Sequence, residues 1–149
     1  MQEPATQKTI LVVDDEDGVR ESVREVLSDE GYRVVDTADG TQVLRIIKEP
    51  RPELVLLDIW MPQMDGIGLL KEIKSQKPDI NVVMVSGHGN IHTAVTATKF
   101  GAFDFIEKPF KADRLILIAE RALENSKLKR EVTELKKRTG DALELVGTS

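Results

Sequence analysis

Runs of consecutive apolar residues recur along the chain, and each ends in a polar or charged residue. Thr9-Ile10-Leu11-Val12-Val13 stops at Asp14, Leu54-Val55-Leu56-Leu57 at Asp58, and Asn81-Val82-Val83-Met84-Val85 at Ser86. Continuous runs, rather than alternation, mark strands buried on both faces. Two weaker segments, Tyr32 to Thr37 and Phe103 to Glu107, complete a set of five. The stretches between them have helical spacing. Val19, Val23, Val26 and Leu27 fall on one face of a helix that opens at Asp17 or Gly18 and stops at Gly31. Val43, Leu44, Ile46 and Ile47 predict a second helix, closed by Pro50 and Pro52. Ile67, Leu70 and Ile73 predict a third, from Asp65 or Gly66 to near Pro78. Ile91 to Phe100 reads as a weaker helix rich in Ala and Thr, and a long last helix runs from about Lys111 toward Arg138. Strand and helix alternate throughout, which predicts an α/β fold with a doubly wound parallel sheet and helices on both faces.

The composition narrows the class. The chain has 149 residues, enough for one domain with its own core. It has no cysteine, which removes disulfides, thiol catalysis and cysteine-held metals and fits a reducing compartment. A net charge of −5 and an aromatic content of 4% argue against nucleic-acid binding by this segment. No apolar run approaches the ~20 residues that cross a bilayer. Residues 1–7 read as a loose polar leader.

Charge at a buried strand is expected only at its end, where solvent or a ligand reaches it. Asp14 and Asp15 follow the first strand, Asp58 ends the third, Ser86 ends the fourth, and Lys108 lies just past the fifth. In open α/β sheets, sites form at these carboxyl ends. If the first and third strands are neighbours, three carboxylates converge and repel one another, and a hard divalent cation relieves the repulsion. With oxygen ligands only, Mg²⁺ is the natural choice. A carboxylate in such a pocket is itself a nucleophile toward phosphorus, a lysine offers a point positive charge and a serine a hydroxyl donor. Blander roles exist: Asp14 or Asp15 as a helix cap, Phe105 as plain core, and Asp65-Gly66 as turn chemistry that starts the third helix.

Val13-Asp14-Asp15-Glu16, Leu57-Asp58-Ile59-Trp60-Met61-Pro62-Gln63-Met64-Asp65-Gly66, Val85-Ser86-Gly87 and Lys108-Pro109-Phe110 occur in this order and together resemble the receiver domain of two-component response regulators. The resemblance covers residues 8–124 and implies a flavodoxin-like sheet in strand order 2-1-3-4-5 with five helices, the last extended. It implies that Asp58 accepts a phosphoryl group from a sensor histidine kinase. Asp14, Asp15, Asp58 and the backbone carbonyl of Trp60 would then hold Mg²⁺. Ser86 and Lys108 would turn toward the phosphoryl group, and the Lys108-Pro109 bond would be cis. Phe105 stands at the family's aromatic switch position, without the hydroxyl of the tyrosine often found there. Such a domain takes up its own phosphoryl group and loses it slowly, rather than turning over substrate as an enzyme, and works in the cytoplasm. The alternatives are a Mg²⁺-dependent phosphohydrolase with Asp58 as nucleophile, and a non-phosphorylated dimerisation module. Trp60 stands where the hydrolase would need a general acid.

The last helix carries a second pattern. Ile118, Arg121, Asn125, Leu128, Val132 and Leu135 occupy alternating a and d positions of a heptad, with Asn125 as a polar register residue. Glu124 and Glu131 fall at g positions and Lys129 and Lys136 at e positions. This fits a helical linker over residues 125–140, either paired with a second chain as a coiled coil or standing alone as a solvated helix. The homodimer would form there or through the fourth helix, fifth strand and fifth helix. Residues 141–149, with Leu143-Glu144-Leu145-Val146-Gly147, resemble the opening of the ATPase domain in sigma-54-dependent activators of the NtrC/NtrX type. That implies a truncated transcriptional regulator of nitrogen metabolism with its ATPase and DNA-binding domains beyond this segment.

Overall fold

The computed structural model describes residues 7–61, 64–87 and 91–138. Strands β1 (Thr9–Val13), β2 (Arg33–Thr37), β3 (Leu54–Asp58), β6 (Asn81–Ser86) and β7 (Asp104–Glu107) form one parallel sheet in the order β2-β1-β3-β6-β7. Counting these five strands alone, the order is the expected 2-1-3-4-5. A small antiparallel hairpin of β4 (Trp60–Met61) and β5 (Met64–Asp65) follows β3 and was not anticipated. The helices are α1 (Asp17–Asp29), α2 (Val43–Ile46), α3 (Gly66–Gln76), α4 (Ile91–Lys99) and α5 (Ala112–Arg138).

The apolar runs divide between two cores by the two-residue period of a strand. Leu11, Val13, Val55, Leu57, Val82 and Met84 face α2, α3 and α4, meeting Val43, Ile46, Leu70, Ile73 and Ala97. Ile10, Val12, Leu54, Leu56, Val83 and Val85 face α1 and α5, meeting Val23, Leu27, Leu115, Ile118 and Leu123. This two-sided burial explains why the sequence shows runs rather than alternation. Burying each such Leu or Val contributes about 1.5–3 kcal/mol.

The ends of α1 follow from local chemistry. The Gly31 amide donates to Ser28 O and the Tyr32 amide to Leu27 O, a Schellman closure that uses the positive φ of Gly31 (92°). The second helix is shorter than its apolar spacing predicts. Asp39 accepts from the backbone and hydroxyl of Thr41 and starts a 3-10 turn over Gly40–Gln42, so α2 keeps only four residues before Pro50. In α4, Ala97 is buried while His92, Val95, Thr98 and Lys99 are exposed.

Helix α5 is unbroken across the junction expected at residues 124–125, and the sheet holds it beyond that point. Buried Asn81, at the start of β6, donates through Nδ2 to Ala122 O and to Asn125 Oδ1, both at 2.9 Å. Its backbone amide donates to Ser126 Oγ at 3.2 Å, and that hydroxyl donates to Glu53 O at 2.9 Å. Lys129 Nζ donates to Asn81 Oδ1 at 2.9 Å. Ile118 is core, and Asn125 and Lys129 are bonded within the chain, so the heptad seam left exposed is Leu128, Val132 and Leu135. Asn81→Ala leaves the Ala122 carbonyl and the Asn125 amide without this partner, with an expected loss of about 2–3 kcal/mol. Hydrogen exchange checks this: amides from Ala122 to Arg130 lose protection before those of β3.

Candidate phosphoacceptor site

The site lies at the carboxyl ends of β1, β3, β6 and β7, on the two sides of the point where strand order reverses. Strand pairing places β1 beside β3 and aligns Val13 with Leu57, so Asp14 and Asp58 both leave the sheet at the same level. Asp58 pairs with Val85, and Ser86 follows at the end of β6. Both carboxylates are buried, each residue 2% exposed.

Lys108 connects them. Its Nζ lies 2.9 Å from Asp14 Oδ2, 2.8 Å from Glu16 Oε1 and 3.5 Å from Asp58 Oδ2. The backbone holds this lysine in place: its amide donates to Ser86 O at 2.7 Å, and the Lys108-Pro109 bond is cis, as expected. Burial pulls the ammonium pKa down, but the hydrogen bonds to Glu16 and Asp14 and the charges of Asp14 and Asp58 more than reverse this, leaving it above its ordinary value. Asp58 moves the other way for a carboxylate. Burial and the charge of Asp14 push it up to about 6, against the Trp60 amide and Lys108, which pull it down. The Trp60 amide donates to Asp58 Oδ1 at 3.1 Å, while the residue itself is 55% exposed at the rim.

Asp14, Asp15 and Glu16 place one carboxylate oxygen each within 4.8 Å of one another. This donor set is hard oxygen throughout, and the pocket already draws a lysine among its carboxylates. It therefore fits a small divalent cation such as Mg²⁺. Asp58 lies outside this cluster and is linked to it through Lys108, which it shares with Asp14, and through its electrostatic coupling to Asp14. Asp14 does not act as a side-chain cap of α1: its Oδ1 accepts the Glu16 amide, and Glu16 is the residue at the N-cap. Phe105 is half-buried against the core beneath α2, α3 and α4. Residues 141–149 lie outside the described residues.

Sequence reasoning left Glu16 and Arg20 unassigned. Glu16 was visible as the third member of an acidic run. Arg20 carried only the signal of standing three residues after Asp17 on a helix.

Residues 10–120 match the family described as the response regulator receiver domain. The chain belongs to this family. Among its relatives is the nitrogen assimilation regulatory protein NtrX of Azorhizobium caulinodans, 53% identical over 132 residues, which covers 87% of this chain and 29% of that protein. The crystal structure of the receiver domain of NtrX from Brucella abortus is 58% identical, with a TM-score of 0.74, covering 77% of this chain and 98% of that one. The beryllofluoride-activated NtrC4 receiver domain dimer is 38% identical, with a TM-score of 0.77, covering 80% of this chain and 99% of that one. The chain is thus a receiver domain of the NtrX/NtrC type, a signalling module, and spans under a third of the length of its NtrX relative. Among the described residues, no helix is long and apolar enough to cross a membrane.

Proposed function

We propose that Asp58 is the phosphoacceptor of this receiver and that a sensor histidine kinase is the donor. The observation that carries this reading is the convergence of buried Asp58 and Asp14 on one lysine at adjacent strand ends. In the transfer, an Asp58 oxygen attacks phosphorus. The bond from phosphorus to the donor imidazole nitrogen breaks, and its electron pair leaves with the imidazole. Mg²⁺, held by Asp14, Asp15, Asp58 and the Trp60 carbonyl, would orient the phosphoryl group and neutralise its charge. Glu16 lies close enough to contribute through its carboxylate. Lys108 keeps a positive charge beside Asp58 before and after transfer. Ser86, which follows the Asp58 partner Val85 on β6, would supply its hydroxyl to an added phosphoryl oxygen.

A phosphoryl group adds about −1.5 to −2 charges and three acceptor oxygens. Lys108 and Ser86 would be drawn to it, and with them the Phe105 strand and the lightly buried α4, which forms the signalling face. The exposed Leu128, Val132 and Leu135 on α5, or that α4–β7–α5 face, would support a homodimer, a reading favoured by the NtrC4 dimer. ATPase and DNA-binding domains beyond this segment would receive the signal, in a cytoplasmic regulator of nitrogen-responsive genes. Incubation with phosphoramidate and Mg²⁺, followed by intact mass measurement, tests the reading. One base-labile phosphoryl group is expected on the wild type, and none when EDTA replaces Mg²⁺. Equal labelling in EDTA, or steady hydrolysis of unrelated phosphoesters without an adduct, would count against it.

A further inference from the structure

The acidic pair must be aimed, and the chain uses one guanidinium to do it. Asp14 is the first residue past β1, and its backbone is fastened on both sides. Its amide continues the sheet ladder by donating to Thr37 O at 3.2 Å. Its carbonyl accepts Arg20 Nη1 at 2.7 Å. The same arginine donates from Nε to Asp36 Oδ2 on β2 at 3.0 Å, and from Nη2 to Asp17 in the first turn of α1. Its side chain is 15% exposed. Arg24 also pairs with Asp36 but makes no bond to the Asp14 loop among the interactions described.

We infer that Arg20 is a positioning residue for the cation site, acting through the Asp14 carbonyl; this rests on the cation reading above. A planar fork with three donors in use can fix one carbonyl against two carboxylates on different elements, whereas a lysine offers a single point charge. With the Asp14 carbonyl fixed, the peptide that joins Asp14 to Asp15 is fixed, and so is the aim of both side chains. The charge of Arg20 is balanced by Asp36 and Asp17, and its donors reach the backbone of Asp14 rather than its carboxylate. It therefore holds the site without competing with a cation for the ligand oxygens. Groups that orient metal ligands from outside the coordination sphere typically change affinity by about 10–100-fold when removed.

The test compares Arg20→Met, Arg20→Lys and Arg24→Met in the same chain. Mg²⁺ affinity is measured by calorimetric titration, and amide exchange at Glu16 is measured in the metal-free protein, because that amide bonds Asp14 Oδ1. Arg20→Met and Arg20→Lys are expected to weaken Mg²⁺ binding on the order of tenfold. Both should also speed exchange at Glu16. Arg24→Met, which removes a helix-to-sheet tie without touching Asp14, should leave both unchanged. If Arg20→Met does not fold, Arg20→Lys carries the test alone. Wild-type affinity in a folded Arg20 variant, or equal losses in the Arg20 and Arg24 variants, would overturn the inference. Failure of the wild type to bind Mg²⁺ saturably would overturn the cation reading itself, and this inference with it.

Discussion

Asp58→Asn is expected to stabilise the cation-free domain at neutral pH, although it removes the proposed phosphoacceptor. The wild-type side chain is 3% exposed and faces Asp14, and these two effects push its pKa from 3.8 up to about 6. Each pKa unit corresponds to about 1.4 kcal/mol, so ionised Asp58 destabilises the fold by up to about 3 kcal/mol. Asparagine keeps the size and an acceptor for the Trp60 amide, and the shift to about 6 already contains the attraction of Lys108, so a gain of up to about 3 kcal/mol is expected. The pH dependence has a definite sign. Between about pH 4 and pH 6 the folded wild type holds a proton that the unfolded chain has released, so its stability falls as pH rises. Asp58→Asn lacks this loss. Urea unfolding in EDTA should therefore show the variant ahead at about pH 7.5, with the gap closing as pH falls to about 4. A variant less stable than the wild type at neutral pH, or a gap that ignores pH, would contradict the electrostatic account. Saturating Mg²⁺ should narrow the gap, because the cation stabilises only a chain that binds it.

Gly66→Ala should be as damaging as Asp58→Asn is stabilising. A Cβ at position 66 would lie 2.9 Å from Ile59 O, 3.1 Å from Ile59 Cα and 3.4 Å from Asp58 O. These are backbone atoms and cannot rotate away. They belong to the backbone that leads out of Asp58, and the Ile59 amide is itself fixed to Val85 O at 2.9 Å. Either α3 or the Asp58-Ile59 peptide must shift, at an expected cost near the top of the ~1–3 kcal/mol range for overpacking. Phosphoryl uptake should fall as well, because the displaced peptide carries Asp58. Gly18→Ala in α1 is the control. Its Cβ would meet nothing within 4 Å, so that variant should unfold at wild-type urea or slightly above. A Gly66→Ala protein with wild-type stability would show that this close approach is not needed.

The parts of this domain that sequence reasoning reached are those set by local pattern. β1, β3 and β6 appear as apolar runs because both of their faces are covered, and the same runs direct attention to Asp14, Asp58 and Ser86 at their ends. Motif order added Lys108. The parts it missed depend on partners far apart in the chain. Asn81 reads as one polar residue at a strand start until α5, more than forty residues on, is laid beside it. Arg20 needs Asp36 on the neighbouring strand before its role is visible. Asp65-Gly66 looked like turn chemistry, yet the Asp65 side chain makes no capping bond and Gly66 answers instead to the approach of Ile59. The heptad of α5 began too early because periods of 3.5 and 3.6 cannot be separated over two turns. Ile118 therefore fitted a seam between chains equally well, although it is buried in the core.

The most direct measurement is the identity of the residue that carries the phosphoryl group. The wild type is treated with phosphoramidate and Mg²⁺, reduced with borohydride, digested and sequenced by mass spectrometry. Reduction of an aspartyl phosphate leaves homoserine in its place. Homoserine at position 58, lost when the donor is omitted, is the predicted result. Homoserine at Asp14 or Asp15 with Asp58 intact, or no homoserine in a protein that binds Mg²⁺, would contradict the assignment of Asp58 as the phosphoacceptor.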